Sequence, residues 1–266
     1  MTDASELAHI AIEIAHEAGA LAKQRRDQGV EIAATKSSMA DIVTEADREV
    51  ELLIRDRLRS MRPEDGFVGE ESEPEPGTSG ITWIVDPIDG TVNYAYGIPA
   101  YAVSIAAVRG TPEPDQWTAL AGVVFNPVTG ESFHASLGNG SWLGAQRIAV
   151  NNALSPAGAL LGTGFGYDPR SHAGDLARVA RVMPLARDIR RFGSAALDLC
   201  SVAAGRLDGY FERGLKPWDH AAGALIVTEA GGRVSVGSEE DEFGRLLVVA
   251  SNSLLFDRLF TSASGN

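Results

Sequence analysis

The chain has 266 residues, 44% hydrophobic and 22% charged, an ordinary globular composition with enough apolar material for a sizeable core. Its formal net charge of −13, from 36 acidic against 23 basic residues, makes a field that repels nucleic acid. No apolar run approaches the ~18 residues of a membrane span, and the lone Cys200 excludes an internal disulfide and cannot by itself build a zinc site.

The opening stretch MTDASELAHI has no basic segment leading into an apolar one, so the expectation is a cytoplasmic enzyme or binding protein. Residues 5–26 place Leu7, Ile10, Ala11, Ile14, Ala15, Ala18, Leu21 and Ala22 at helical spacing, with Gly29 as a stop. A second helix is predicted over 42–61, with Val43, Val50, Ile54, Leu58 and Met61 on its inward stripe. Asp47 falls on that same stripe, and a carboxylate on an apolar face is costly to bury unless paired or bound to metal. Residues 62–82 turn to Pro, Gly, Glu and Ser and read as an exposed loop.

Trp83-Ile84-Val85-Asp86 reads as a strand ending in a turn. Further strands are predicted at 101–108, 120–126 and 131–136, followed by a tight turn at Gly138-Asn139-Gly140. Strands at 159–163, 187–192 and 207–212 then alternate with helices at 194–204 and 219–230, before a strand at 246–250 and a terminal helix. The pattern gives an α+β half over 1–145 and an α/β half over 146–266. No linker is long enough to separate them, so they form one compact unit.

The strongest chemical signal is Asp86-Pro87-Ile88-Asp89-Gly90-Thr91. Two aspartates at a strand end can point into one loop; Pro87 fixes a backbone angle and Gly90 permits close approach to a ligand. Oxygen-only ligands at short spacing suit a hard cation such as magnesium rather than zinc. The amides of Gly90 and Thr91 are placed to hold phosphate oxygens. The same segment also reads as two turns that merely end a strand. Likewise Glu70-Glu71 reads as a ligand or as a solvated acidic run, and Asp219 as a ligand or as a cap of its helix. The conjunction favours metal. Glu70, Asp86, Asp89 and Asp219 each sit at the end of an element and Asp47 breaks its stripe, which together supplies the carboxylates for two or three magnesium ions and an in-line phosphoryl displacement. No nucleophile elbow, Walker loop, dinucleotide fingerprint or partnered Cys–His set competes.

Other reactive residues read as structural. Cys200 shares a helix side with Leu197 and Ala204 and is a small core residue. His220 faces solvent or a neighbour, and His9 and His16 lie on polar and boundary faces of the first helix with no metal pairing. Arg190-Arg191 either steers an anionic substrate or forms a salt bridge.

These residues resemble the inositol monophosphatase family. The likeness is carried by Gly69-Glu70-Glu71, by Trp83 through Thr91 with Asn93, and by Trp218-Asp219 through Gly231-Gly232. Lys36, Asp41-Ile42-Val43-Thr44, Asp47, Gly193-Ser194-Ala195-Ala196 and Tyr210-Phe211-Glu212 support it. The resemblance implies a layered αβαβα sandwich of the metal-dependent sugar-phosphatase type, a homodimer, lithium sensitivity and two to three magnesium ions. Glu70, Asp86 and the carbonyl of Ile88 resemble ligands of a first metal, and Asp86, Asp89 and Asp219 those of a second. A third would use Glu70 and water. Thr91 and Glu70 resemble the pair that orients and deprotonates the attacking water, with Asp47 supporting through Thr91. Gly90 and Thr91 would hold the phosphate, and Asp89, Ala195 and Glu212 the ring. Most metal ligands thus fall in the first half, and Asp219 and the substrate contacts in the second.

Tyr94 stands where the family often has Phe, Met39 where Pro is common, and Lys216-Pro217 precedes Trp218 at the substrate mouth. The expected activity is hydrolysis of a phosphate monoester of a small polyol, foremost myo-inositol 1-phosphate. The alternatives are histidinol phosphate, fructose 1,6-bisphosphate or a 3′-phosphonucleotide, or a regulatory or binding protein on the same fold.

Overall fold

The first helix forms as its spacing dictates. In the computed structural model α1 runs Ala4–Gln28, Asp3 caps it by accepting the Ser5 amide at 2.9 Å, and Gly29 ends it at a φ of 105°. Leu7, Ala11, Ile14, Ala15, Ala18 and Ala22 are fully buried along one face; each large apolar side chain so buried contributes about 1.5–3 kcal/mol. The structure describes residues 3–29, 32–35, 42–111, 116–153, 155, 157–237 and 239–265. Lys36, Met39 and Asp41 lie outside the described residues.

The second helix starts later than its periodicity predicts. Ile42–Thr44 is a short strand, β2, antiparallel to β1 (Ile32–Thr35), and α2 spans Glu45–Met61. Consecutive β-branched Ile42, Val43 and Thr44 favour the extended backbone over the helix. The region 62–82 is likewise not all loop. Gly66–Gly69 forms a buried strand, β3, parallel to β4 (Ile81–Asp89), held by Trp83 Nε1 donating to Asp65 at 3.0 Å. Two glycines disguise this strand, but both are needed: a Cβ on Gly66 would lie 3.0 Å from the Gly77 amide, and one on Gly69 would lie 2.3 Å from a Glu51 oxygen.

After a short helix α3 (Thr91–Tyr96), antiparallel strands β5 (Ala102–Gly110), β6 (Trp117–Asn126), β7 (Glu131–Ser136), β8 (Ser141–Leu143) and β9 (Gln146–Ile148) complete a seven-stranded sheet in chain order from β3. A second, five-stranded sheet is ordered β11-β10-β12-β14-β13, from β10 (Ala159–Thr163), β11 (Ala186–Arg190), β12 (Gly209–Arg213), β13 (Arg233–Val236) and β14 (Leu247–Ser251). It is parallel across β11, β10 and β12 and antiparallel beyond. Helices α4 (His172–Val182), α5 (Ala195–Ala203), α6 (Pro217–Glu229) and α7 (Phe256–Ser264) complete the fold.

The layers are αβαβα. One apolar cluster joins α1 and α2 to the first sheet, a second packs α5 and α6 between the two sheets, and a third places α4 and α7 on the outer face of the second sheet. Small residues bring the middle layer close: a Cβ on Gly122 of β6 would lie 3.0 Å from the Ala222 Cα of α6. Cys200 is fully buried there, as a core residue should be. His220 faces a neighbour rather than solvent, its ring 6.1 Å from that of Trp117, and burial holds it at a pKa of about 4. No helix among the described residues is long and apolar enough to cross a membrane.

Candidate active site

The C-terminal end of β4 and the N-termini of α5 and α6 meet at one cavity of about 540 Å³. Asp86 is the last β4 residue in regular register with β5, before an irregularity that carries the chain to Asp89. Its Oδ1 accepts the Ile88 amide at 3.0 Å, which closes a small turn and fixes the carboxylate. Gly90 follows at a φ of 95°, where a Cβ would meet the carbonyl oxygens of Ala100 and Gly193 at 2.9 and 3.0 Å.

Asp89 is buried, and its Oδ2 accepts Ser194 Oγ at 2.5 Å and the Ala196 amide at 2.7 Å. Asp219 lies in the first turn of α6 and accepts the Lys216 amide at 2.6 Å. It therefore has a capping role and also joins the cluster: one carboxylate oxygen from each of Asp86, Asp89 and Asp219 lies within 4.8 Å of the others. Glu70, Ile88, Thr91, Ala195 and Glu212 line the same cavity, so residues spread over most of the sequence converge. Asp47 is fully buried behind them. Thr91 Oγ1 is 3.3 Å from Asp47 Oδ1 and 3.1 Å from the Ile88 carbonyl; its one proton serves one of these acceptors at a time.

A divalent cation fits this donor set. Burial first, and then the charges of Glu70, Asp89, Asp219 and Asp47, push the Asp86 carboxyl well above the usual carboxylate range. Burial, Asp89 and Glu70 do the same to Asp219. Burial raises Asp89 to about 6 against the downward pull of Ser194 and Ala196. The repulsion is what a bound cation would neutralise, and an all-oxygen set suits a hard ion.

Of the residues that support the site, Glu51 gives no sign in the sequence, while Asn93 and Ser194 stand there only within the segments that carry the resemblance. Glu51, buried on α2, accepts the Glu71 amide at 2.8 Å and the Ser72 hydroxyl, and so fixes the turn that carries Glu70. Asn93 donates to the carbonyls of Ala100 and Phe192, both at 2.7 Å, and ties the Asp89 loop to the segment before α5. Ser194 anchors Asp89 while capping α5. Each is a polar residue at a helical position or a turn, and only the folded chain shows what it touches. Of the arginine pair, Arg190 bridges Asp188 at 2.5 Å, while Arg191 lines the cavity.

The inositol monophosphatase family matches residues 3–264 of the chain. The chain belongs to that family. It is 41% identical to inositol-1-monophosphatase SuhB of Mycobacterium tuberculosis over 276 residues, covering 97% of this chain and 93% of that protein. It is 39% identical to a protein named Nus factor SuhB in Escherichia coli, over 85% of this chain and 84% of that one. In three dimensions it matches the extragenic suppressor protein suhB of Bartonella henselae with a TM-score of 0.86 at 35% identity, covering 97% and 98% of the two chains. Inositol monophosphatase family members are metal-dependent phosphatases of small phosphate monoesters, in keeping with the acidic cluster on β4 and α6.

Proposed function

We propose that the protein hydrolyses a phosphate monoester of a small polyol, foremost myo-inositol 1-phosphate to inositol and phosphate, with two to three Mg²⁺ ions. The observation that carries this is the convergence of Asp86, Asp89 and Asp219 beside a Thr91 hydroxyl bonded from behind. Glu70, Asp86, the Ile88 carbonyl, Asp89 and Asp219 would hold the ions. Magnesium, when bound, supplies positive charge that acidifies water and neutralises the leaving oxygen.

The chain's own groups do the rest. Thr91 donates its hydrogen bond to Asp47 or the Ile88 carbonyl, which leaves an oxygen lone pair to accept a hydrogen bond from the water and orient it. Glu70, at the same wall, is the base that takes the water's other proton. The amides of Gly90 and Thr91 hold the phosphate, and Asp89, Ala195 and Glu212 face the polyol. Glu212 is held by the Tyr210 hydroxyl, and burial lifts it to about 7.

The name of the Escherichia coli relative raises a second reading, a regulatory protein acting through its surface. A scaffold has no need of mutually repelling buried carboxylates, and this favours catalysis. Phosphate release with and without Mg²⁺ from inositol 1-phosphate, histidinol phosphate, fructose 1,6-bisphosphate and 3′-phosphoadenosine 5′-phosphate decides. Magnesium-dependent preference for the first is expected. Preference for another overturns the substrate, and silence on all four favours the regulatory role. The proposed homodimer is tested by sedimentation at micromolar concentration.

A further inference from the structure

Behind Glu212 the cavity holds a second carboxylate that neither the catalytic cluster nor any hydrogen bond employs. Asp198 lies in the first turn of α5, is 2% exposed and lines the cavity. Its Oδ1 is fully buried and has no hydrogen-bond partner among the described residues. Such an atom has given up its water without a partner to replace it, so it is rarely retained in that state.

The strand opposite is shaped for it. Gly162 and Gly164 are two residues apart and face the same side, where a Cβ on Gly162 would lie 2.9 Å from Leu207 Cδ1, 3.1 Å from Tyr210 Cδ2 and 3.6 Å from Asp198 Cγ. A Cβ on Gly164 would lie 1.9 Å from Glu212 Oε2. The missing side chains leave room for the Glu212 carboxylate against Gly164 and, beyond the nearer Leu207 and Tyr210, for the Asp198 carboxylate beside Gly162. Only one of them is occupied, since Glu212 receives the Tyr210 hydroxyl.

We propose that Asp198 is a specificity-determining residue, whose buried carboxyl pairs with a ring hydroxyl of the polyol seated against Glu212 and the Gly162–Gly164 wall. This rests on the phosphatase reading and adds to it a group for the far side of the ring. A hydroxyl is the fitting partner because it both donates and accepts. Burial, with the charges of Glu212 and Asp89, raises the Asp198 carboxyl well above its usual range against the pull of Arg191.

The test uses the full-length protein with Mg²⁺ and compares myo-inositol 1-phosphate with cyclohexyl phosphate, the same ring without hydroxyls. In Asp198→Leu the ratio of kcat/KM for the inositol ester to that for the cyclohexyl ester should fall about tenfold to a hundredfold, chiefly through KM. Asp198→Asn, which keeps one acceptor, should fall less. Because Leu removes an unsatisfied buried carboxyl, the melting temperature of Asp198→Leu should hold or rise. A purely structural role would lower the melting temperature and both turnovers together, leaving the ratio unmoved, and that result overturns the inference. So does a ratio unchanged in a stable variant. Wild-type silence on both esters overturns the inference together with the phosphatase reading, and is thereby told apart from failure of Asp198 alone.

Discussion

Ser194 Oγ stands 2.5 Å from Asp89 Oδ2 and also caps α5 by accepting the Leu197 amide at 3.3 Å. One hydroxyl therefore ties the strand end of the first sheet to the helix layer between the sheets. It also helps to draw Asp89 down from where burial alone would put it, so that more of the carboxylate form is available to a cation.

Removing that hydroxyl tests both duties. Ser194→Ala should lose about 1–2 kcal/mol of stability from the lost cap and bond. It should also weaken Mg²⁺ binding about tenfold, the scale of losing a group that orients a ligand. Urea unfolding in chelator and a Mg²⁺ titration by calorimetry measure the two effects separately. Unchanged Mg²⁺ affinity would show that Ser194 serves only the helix.

Asp89→Asn should abolish turnover and keep the fold. The amide oxygen can still accept from Ser194 and Ala196, while the repulsion with Asp86 and Asp219 is relieved. The metal-free variant should melt no lower than the wild type. An unfolded variant, or one that turns over at the wild-type rate, contradicts the role given to Asp89.

The same repulsion sets a pH dependence. Asp89 titrates at about 6 instead of 3.8 and Glu212 at about 7 instead of 4.5, with Asp86 and Asp219 also raised. A carboxyl raised by folding binds more protons in the native state, so its contribution is present at low pH and is lost as pH climbs from the unfolded value through the folded one. Carboxyls lowered by partners, such as Asp175 and Glu131, act in the opposite sense but change below about pH 4.5. Metal-free protein should therefore melt higher at pH 5.5 than at pH 8. Saturating Mg²⁺ should raise the melting temperature at pH 8 by more than at pH 5.5. Scanning calorimetry at both pH values, with and without Mg²⁺, checks the sign.

Glu51 holds Glu70 in place through the next residue. Glu51→Ala should cost about 1–3 kcal/mol, since the half-buried Glu71 amide loses this acceptor. It should also lower kcat through displacement of Glu70. Gly69→Ala should do likewise, because its Cβ would fall 2.3 Å from a Glu51 oxygen. Full activity in a destabilised Glu51→Ala would detach this contact from the site.

The sequence shows the carboxylates of the cluster and hides what positions them. Asp86, Asp89 and Asp219 stand out by their conjunction, since each alone could end a strand or cap a helix, and Asp47 because it breaks an apolar stripe. Glu51 gives no such signal: it is an ordinary helix residue until the Glu71 amide is seen against it. The strand at Gly66–Gly69 is hidden for a related reason, since its glycines answer to close neighbours that only the fold supplies. Helix α4 is hidden because it buries charge where an apolar stripe would show: its Asp175 pairs with Arg178 of the same helix and with Arg245 from beyond it.

The wall opposite the catalytic carboxylates yields the last prediction. Glu212→Ala should reduce turnover of inositol 1-phosphate with a smaller effect on an ester that has no hydroxyls. Gly164→Ala should reproduce that selective loss with Glu212 still present, because its Cβ would fall 1.9 Å from Glu212 Oε2 and force the side chain away. Gly174→Ala is the control: a Cβ there on α4 meets nothing within 4 Å, and it should stabilise the helix by about 0.5–1 kcal/mol. If Gly164→Ala and Glu212→Ala leave inositol 1-phosphate turnover intact, the polyol does not sit against Glu212. The substrate must then be sought among esters that contact the Arg191 side of the cavity.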